Sequence, residues 1–215
     1  MVSSFIELPK AVDPHLRRWM LFVDGENFTI RAQAVAQRRG LALIEGDYYK
    51  KEVFVWFPEH RATLNFTEIP STPIQLQKHA IRAHYYTSLI GDDTALMAVR
   101  RTLWERGFQP EVFKKTKGQV KAKGVDIALS KDFLSHAFLN NYEAAVLIAG
   151  DADYIPLINE VKRLGKVVYL LSFSQSGLNP ELKLSSDGFF EMEPFFYDCW
   201  KAYAGKLPAP TSQQP

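Results

Sequence analysis

The chain has 215 residues, 47% hydrophobic and 23% charged, a balance that suits one globular domain with enough apolar material for a core. No apolar run approaches the roughly 20 residues of a membrane-spanning helix, and the N-terminus MVSSFIELPKAVDPHLRR lacks the basic-then-apolar order of a secretory signal. A single cysteine, Cys199, excludes an internal disulfide and a cysteine-built zinc site, so a reducing cytoplasm fits best. The formal net charge of +2 selects no partner, and the distribution of charge says more.

Residues 1–18 read as a lead-in broken by Pro9 and Pro14. WMLFV (19–23) is a short apolar run that predicts a buried strand ending at Asp24. A helix is expected over 29–39, with Gly40 as its stop. Residues 41–78 read as a hairpin or irregular insertion. VFVWF (53–57) has strand composition there, and Pro58, Pro70 and Pro73 punctuate the remainder of the segment. IRAHYY (81–86) is the next strand. Leu96, Val99 and Leu103 fall at helical spacing within 94–106, and Gly107 closes that helix. PEVF (110–113) suggests another strand. A lysine-rich loop then leads to a helix over about 125–138, with Ile127, Lys131, Leu134 and Phe138 along one line. AAVLIAG (144–150) is a strongly apolar strand. Residues 155–164 form a helix expected to turn Leu157, Ile158, Val161 and Leu164 inward, and VVYLLSF (167–173) is a further strand. FFYDCWKAY (195–203) reads as a terminal helix, and after it comes a Pro- and Gln-rich tail with the composition of disorder.

Strands alternating with helices predict a three-layer α/β/α domain around a central, mainly parallel sheet, joined by right-handed crossovers. In such folds the loops at the C-terminal ends of the strands form the functional edge. Asp24 follows LFV directly, Asp151 follows VLIAG, and Asp153 comes two residues later, so all three are expected on that edge. Asp126 stands where the lysine loop enters a helix, and Asn27 lies within one turn of Asp24. Two carboxylates ~4 Å apart at an effective dielectric of ~20 repel by about 4 kcal/mol. A helix N-terminus returns only about 0.3–1 kcal/mol. A divalent cation offsets such repulsion, and hard cations such as Mg²⁺ take oxygen ligands. Taken singly, Asp24, Asp126 and Asp153 are each also explained as helix caps. Asp132 differs in helical phase from Asp126 and suits a solvated acid equally well. Asp92 and Asp93 read as caps, and the five histidines show no metal-ligand spacing.

FVDGEN (22–27), KGVDIALSKD (123–132) and LIAGDADYIPLINEVKRLGKVV (147–168) together resemble the NYN domain, a family of the PIN-like nuclease group. ELKLSSDGFFEM (181–192) resembles its closing segment. The resemblance implies a PIN-like domain over 19–204, with a tail over 205–215, and a Mg²⁺- or Mn²⁺-dependent ribonuclease. Matched motif by motif, it implies Asp24, Asn27, Asp126, Asp151 and Asp153 as catalytic residues, with the four aspartates as metal ligands. The segment 45–78 has no counterpart in the family pattern and reads as an insertion that shapes access of substrate.

Two competing readings remain. An aspartate-nucleophile phosphatase also carries an acid after its first strand, but it needs a second acid two residues on as general acid, and Glu26 within DGEN matches poorly. The other is a non-catalytic RNA-binding or scaffold protein on the same fold. Arg100, Arg101 and Arg106 share one expected helix and read as solvated. Tyr85, Tyr86 and Tyr154 lie near strand ends, where they would stack on bases or pack in the core. Between Glu111 and Asp126 there is no acid, while Lys114, Lys115, Lys117, Lys121 and Lys123 succeed one another. Lysines beside an acidic pocket hold a phosphate backbone without reading its sequence, so RNA is the expected partner of Lys115, Lys117, Lys121 and Lys123. Replacing Lys115, Lys117 and Lys121 by Ala is expected to weaken RNA binding and flatten its salt dependence, because each phosphate contact releases counterions. Fluorescence anisotropy across a salt series checks this. An unchanged affinity and slope would mean that the loop is merely solvated.

Overall fold

Side chains on a strand alternate between its two faces. In β1 (Trp19–Asp24) every residue is buried, so the strand must be covered on both sides. Trp19, Leu21 and Val23 enter one core, and Met20 and Phe22 enter the other. The computed structural model describes residues 18–58, 80–116, 124–176 and 178–206. After β1 come α1 (Gly25–Arg39), a hairpin of β2 (Tyr49–Lys50) and β3 (Phe54–Val55), then β4 (Arg82–Leu89), α2 (Asp93–Glu105) and β5 (Gln109–Lys114). The second half holds α3 (Val125–Phe138), β6 (Ala144–Ile148), a 3-10 turn (Ala152–Tyr154) and α4 (Ile155–Arg163). It ends with β7 (Val167–Ser172), α5 (Pro180–Ser185), β8 (Gly188–Glu191) and α6 (Glu193–Ala204).

The six longer strands form one sheet in the order β5-β4-β1-β6-β7-β8, with every neighbouring pair parallel. Successive units therefore wind outward from β1 in one direction and from β6 in the other. Between those two strands the connections diverge, and the C-terminal ends leave a crevice at this topological switch point. One core packs α1, α2, α6 and the hairpin against the sheet, and the second packs α3, α4 and α5 against its other face. This is the expected three-layer architecture, with β1 and β6 at its centre. Val23, Ala149 and Leu171 all lie at the C-terminal side of neighbouring strands. No helix among the described residues is long and apolar enough to cross a membrane.

Three local features differ from the sequence reading. First, α1 starts at Gly25, because the Asp24 carboxylate caps it by accepting the Asn27 N–H at 3.0 Å. The polar opening GENF hides that start from an apolar-periodicity reading. Second, the line Ile127, Lys131, Leu134 and Phe138 is not the buried side of α3: Ile127 is 73% and Phe138 63% exposed, while Leu134 packs at the margin of the second core. The buried side is Val125, Leu129, Phe133 and Ala137. Third, β8 is a sixth strand, only four residues long and half-buried at the sheet edge, too short for a periodic pattern to reveal it. On α4, Ile158 and Val161 are buried, with Leu157 and Leu164 packed at the margin of that core.

The hairpin is part of the core. Val53, Phe54, Val55, Trp56 and Phe57 are buried, and the Tyr85 hydroxyl both donates to the Val55 carbonyl (3.0 Å) and accepts its N–H (3.2 Å). It lies against the α1 face of the sheet. The described part of the segment 45–78 thus supports packing; residues 59–79 lie outside the described residues. His84 is stacked between Phe22 and Tyr86, and burial pushes its imidazole down to about 4. It is a neutral packing group at pH 7.

Gly25 makes the β1–α1 junction possible. A β-carbon there would strike the Tyr85 ring and stand 2.6 Å from the Tyr86 carbonyl oxygen, both on neighbouring β4. Gly25→Ala is expected to cost about 1–3 kcal/mol or more, the range for overpacking a well-filled site. The urea midpoint checks this, and a midpoint equal to wild type would show that the junction has room.

Candidate functional site

Asp24 is an even-numbered residue of β1, so it shares the face of Met20 and Phe22 and turns toward the α3 layer. It is 1% exposed. One carboxylate oxygen caps α1, and the other accepts the Tyr154 hydroxyl at 3.0 Å. Tyr154 belongs to the 3-10 turn after β6 and is itself buried. Its hydroxyl also lies 3.1 Å from Oδ1 of Asp126, in the first turn of α3. Three elements that are remote in sequence meet at one oxygen atom.

A phenol carries one proton. It donates to Asp24 or to Asp126 at any instant, never to both. The two contacted carboxylate oxygens are no more than about 6 Å apart, and at an effective dielectric of ~20 two negative charges at that distance repel by about 3 kcal/mol. Burial, and then the neighbouring carboxylates of Asp24 and Asp126, push the Tyr154 hydroxyl far above its ordinary range, so it remains a donor.

Asp151 caps the 3-10 turn by accepting the Asp153 N–H at 3.3 Å, and Asp153 points outward and is exposed. Arg31, one turn beyond Asn27 on α1, reaches across the crevice. Its Nε donates to Oδ1 of Asn27 at 2.6 Å, Nη2 to the Gly150 carbonyl at 2.8 Å, and Nη1 to the Ser176 carbonyl. Burial lowers the guanidinium pKa, while the charges of Asp151 and Asp24 raise it in return. A cleft of about 390 Å³ opens between α3 and the start of α4, walled by Asp126, Ser130, Lys131, Asp153, Tyr154 and the apolar Ile127, Leu134 and Leu157.

Of the remaining residues anticipated from sequence, those that the structure describes make other contacts. Lys115 is paired with buried Glu26 at 3.5 Å, its side chain 17% exposed, and Glu26 also accepts the Ser88 hydroxyl. Lys117, Lys121 and Lys123 lie outside the described residues. Asp132 accepts the Tyr86 hydroxyl at 2.9 Å and pairs with Lys131 at 3.1 Å, away from the Asp24–Asp126 bridge. Asp92 caps α2 through the Ala95 N–H. Tyr85, Tyr86 and Tyr154 are all buried, so none presents a face for base stacking. Arg31 and the bridging role of Tyr154 were missed in the sequence. Arg31 offered little local signal, since two of its three partners, Gly150 and Ser176, are more than 100 residues away in sequence. The position of Tyr154 directly after GDAD was the one available hint.

Among the described residues, no group of three or more His, Cys, Asp or Glu side chains is arranged to hold a metal ion. The four aspartates are therefore not brought together as one ready ligand cage. Asp24 and Asp126 converge on one hydroxyl, Asp151 lies in the field of Arg31, and Asp153 stands at the cleft. This set still fits a hard divalent cation by its chemistry. Mg²⁺ commonly takes one or two carboxylates and completes its shell with water and substrate phosphate. Tyr154→Phe is expected to destabilise the metal-free protein by about 1–3 kcal/mol, the range for carboxylates left without a buried donor. Mn²⁺ should recover most of that loss by replacing the shared proton. Melting temperatures in EDTA and in Mn²⁺ check this, and an equal deficit in both would remove the cation from the account.

The NYN domain family model matches residues 18–193, which spans β1 to the start of α6 and contains every residue of the Asp24–Tyr154–Asp126 bridge. A solved structure of a protein of unknown function from Vibrio parahaemolyticus is similar, with a TM-score of 0.56 and 16% identity over 86% of this chain and 98% of that chain. At that identity the likeness shows the fold alone. No curated protein matches the sequence. With the family match running through the whole sheet and all three acidic motifs, the chain belongs to the NYN domain family of PIN-like nucleases.

Proposed function

We propose that this protein is a divalent-metal-dependent ribonuclease that hydrolyses RNA phosphodiester bonds at the β1–β6 crevice. The observation that carries the reading is the Tyr154 hydroxyl shared by the Asp24 and Asp126 carboxylates at the C-terminal edge of a parallel sheet. Like charges are brought together there with one proton between them, and a cation is the natural complement.

Asp24 and Asp126 would hold Mg²⁺ or Mn²⁺, with Asp151 beside them. The ion supplies, when bound, an activated water and a counter to the charge developing on the phosphate. Tyr154 keeps both carboxylate oxygens aimed at one point, and its raised pKa keeps its own proton in place. Asn27 offers its carboxamide oxygen to Arg31, which orients Nδ2 as the end of the amide able to donate to a phosphate oxygen. Asp153, the exposed carboxylate at the cleft, is suited to accept a proton from water. Lys117, Lys121 and Lys123, in the basic run that leads into Asp126, would track the RNA backbone, whereas Lys115 is held by Glu26. RNA is preferred to DNA on the strength of the family. The lone, buried Cys199, its thiol pushed up to about 12 by burial, suits a reducing cytoplasm.

A second reading, a non-catalytic RNA-binding or scaffold protein, is favoured by the burial of Asp24 and by the charge of Arg31 beside Asp151. Cleavage of labelled RNA and DNA oligonucleotides in Mn²⁺ or EDTA separates the two. Wild type should cut RNA in Mn²⁺ only. Asp126→Asn should lower the rate by about 100-fold or more, since it weakens a hard-cation site without leaving a cavity. It should melt no earlier than wild type in EDTA, because one of two repelling charges is gone. Asp151→Asn should also lose cleavage, but it should melt earlier, since its carboxylate caps the 3-10 turn and a lost cap costs about 0.5–2 kcal/mol. Cleavage by Asp126→Asn at the wild-type rate would hand the site to the scaffold reading.

A further inference from the structure

We propose that Arg31 is the fixed countercharge of the acidic edge: its guanidinium balances Asp24 and Asp151 in the metal-free protein and thereby limits how tightly a divalent cation is held. The second half rests on the metal reading above, and the first does not.

Three neutral acceptors hold the guanidinium: the Asn27 carboxamide, the Gly150 carbonyl at the exit of β6, and the Ser176 carbonyl after β7. A guanidinium cannot shed its proton at ordinary pH. Its position is thus set by neutral oxygens, and its charge acts on the carboxylates on either side. Asp151 follows Gly150 directly, and Asp24 accepts the backbone N–H of Asn27, whose side chain Arg31 grips. The backbone makes room for this arrangement. A β-carbon on Gly150 would stand 2.7 Å from Nη2 and closer still to Nε and the guanidinium carbon. Glycine at that position lets the fork lie against the main chain where β6 ends.

An entering cation meets acids already opposed by a positive charge that cannot leave. Removing the charge should therefore strengthen cation binding, which loss of a mere strut would not do. Asn27 is held by the same fork, so chemistry should suffer even as the cation binds better.

The test uses the intact chain and Mn²⁺ as the probe, with free Mn²⁺ counted by electron paramagnetic resonance and melting monitored in EDTA. Arg31→Gln should bind Mn²⁺ about tenfold more tightly, the scale of one unit charge removed at several ångströms in a screened site. It should also melt earlier in EDTA. Arg31→Gln should cost less melting temperature in an Asp151→Asn background than in wild type, because the carboxylate it balances is then gone and the lost cap is common to both Asp151→Asn proteins. Arg31→Lys keeps the charge and should stay near wild-type Mn²⁺ affinity. Gly150→Ala displaces the fork while leaving arginine in the chain, and should tighten Mn²⁺ binding as Arg31→Gln does. It carries the test if Arg31→Gln fails to fold. Folded Arg31→Gln and Gly150→Ala proteins with unchanged or weaker Mn²⁺ affinity would reduce Arg31 to a strut. If wild type binds no Mn²⁺, the metal reading falls, and melting in EDTA decides the countercharge alone: an equal cost of Arg31→Gln in the wild-type and Asp151→Asn backgrounds overturns it.

Discussion

A phenol has one proton to give, and Tyr154 presents it to two carboxylates. Much of the functional edge depends on that shortage. Asp24 cannot retreat into solvent, because it is the last residue of a fully buried central strand and its other oxygen closes the N-terminus of α1. Asp126 is fixed in the first turn of α3, whose buried side is anchored by Val125, Leu129 and Phe133. Two packed cores therefore hold two negative charges together, and the packing is strong enough to do so. Each buried apolar side chain contributes about 1.5–3 kcal/mol, against a repulsion of about 3 kcal/mol.

The rest of the edge manages the remaining charge. Glu26, buried beside β4, is met by Lys115 and the Ser88 hydroxyl. Asp132 is met by Tyr86 and Lys131. Glu193, at the start of α6, is held below the ordinary carboxylate range by Arg38 and Arg39, whose hydrogen bonds and charges outweigh the opposing effect of burial. Each of these acids has a cationic side chain in contact. Asp24 and Asp126 share the Tyr154 hydroxyl, and the charge of Arg31 acts on Asp24.

Topology explains why this pair sits where it does. With strand order β5-β4-β1-β6-β7-β8, the crossovers leave β1 and β6 on opposite sides of the sheet, and only there do the loops part. α1 starts within that opening, so Asn27 and Arg31 point along it. The GDADY loop leaves β6 beside it. The β2–β3 hairpin packs on the α1 face, against Phe28 and Trp200, and adds to that core.

The sequence by itself determined the layers and the edge. Apolar runs ending at Asp24 and before Asp151 identify buried parallel strands, and a residue directly after such a run must lie at its C-terminal end. Helical spacing of Leu96, Val99 and Leu103 likewise set the buried face of α2, because period and burial are local properties of one element. What only the tertiary structure decided is which side chains meet. The spacing on α3 put Ile127, Lys131, Leu134 and Phe138 along one line without saying which side is buried, and the sheet takes Val125, Leu129 and Phe133, since an apolar helix can rotate about its axis at little local cost. Tyr154 joining Asp24 to Asp126, and Arg31 reaching Gly150 and Ser176, are contacts between residues up to 145 positions apart. Their formation depends on strand order and on the depth at which each helix seats against the sheet. Those are set by the whole core packing at once, and no window of sequence contains them.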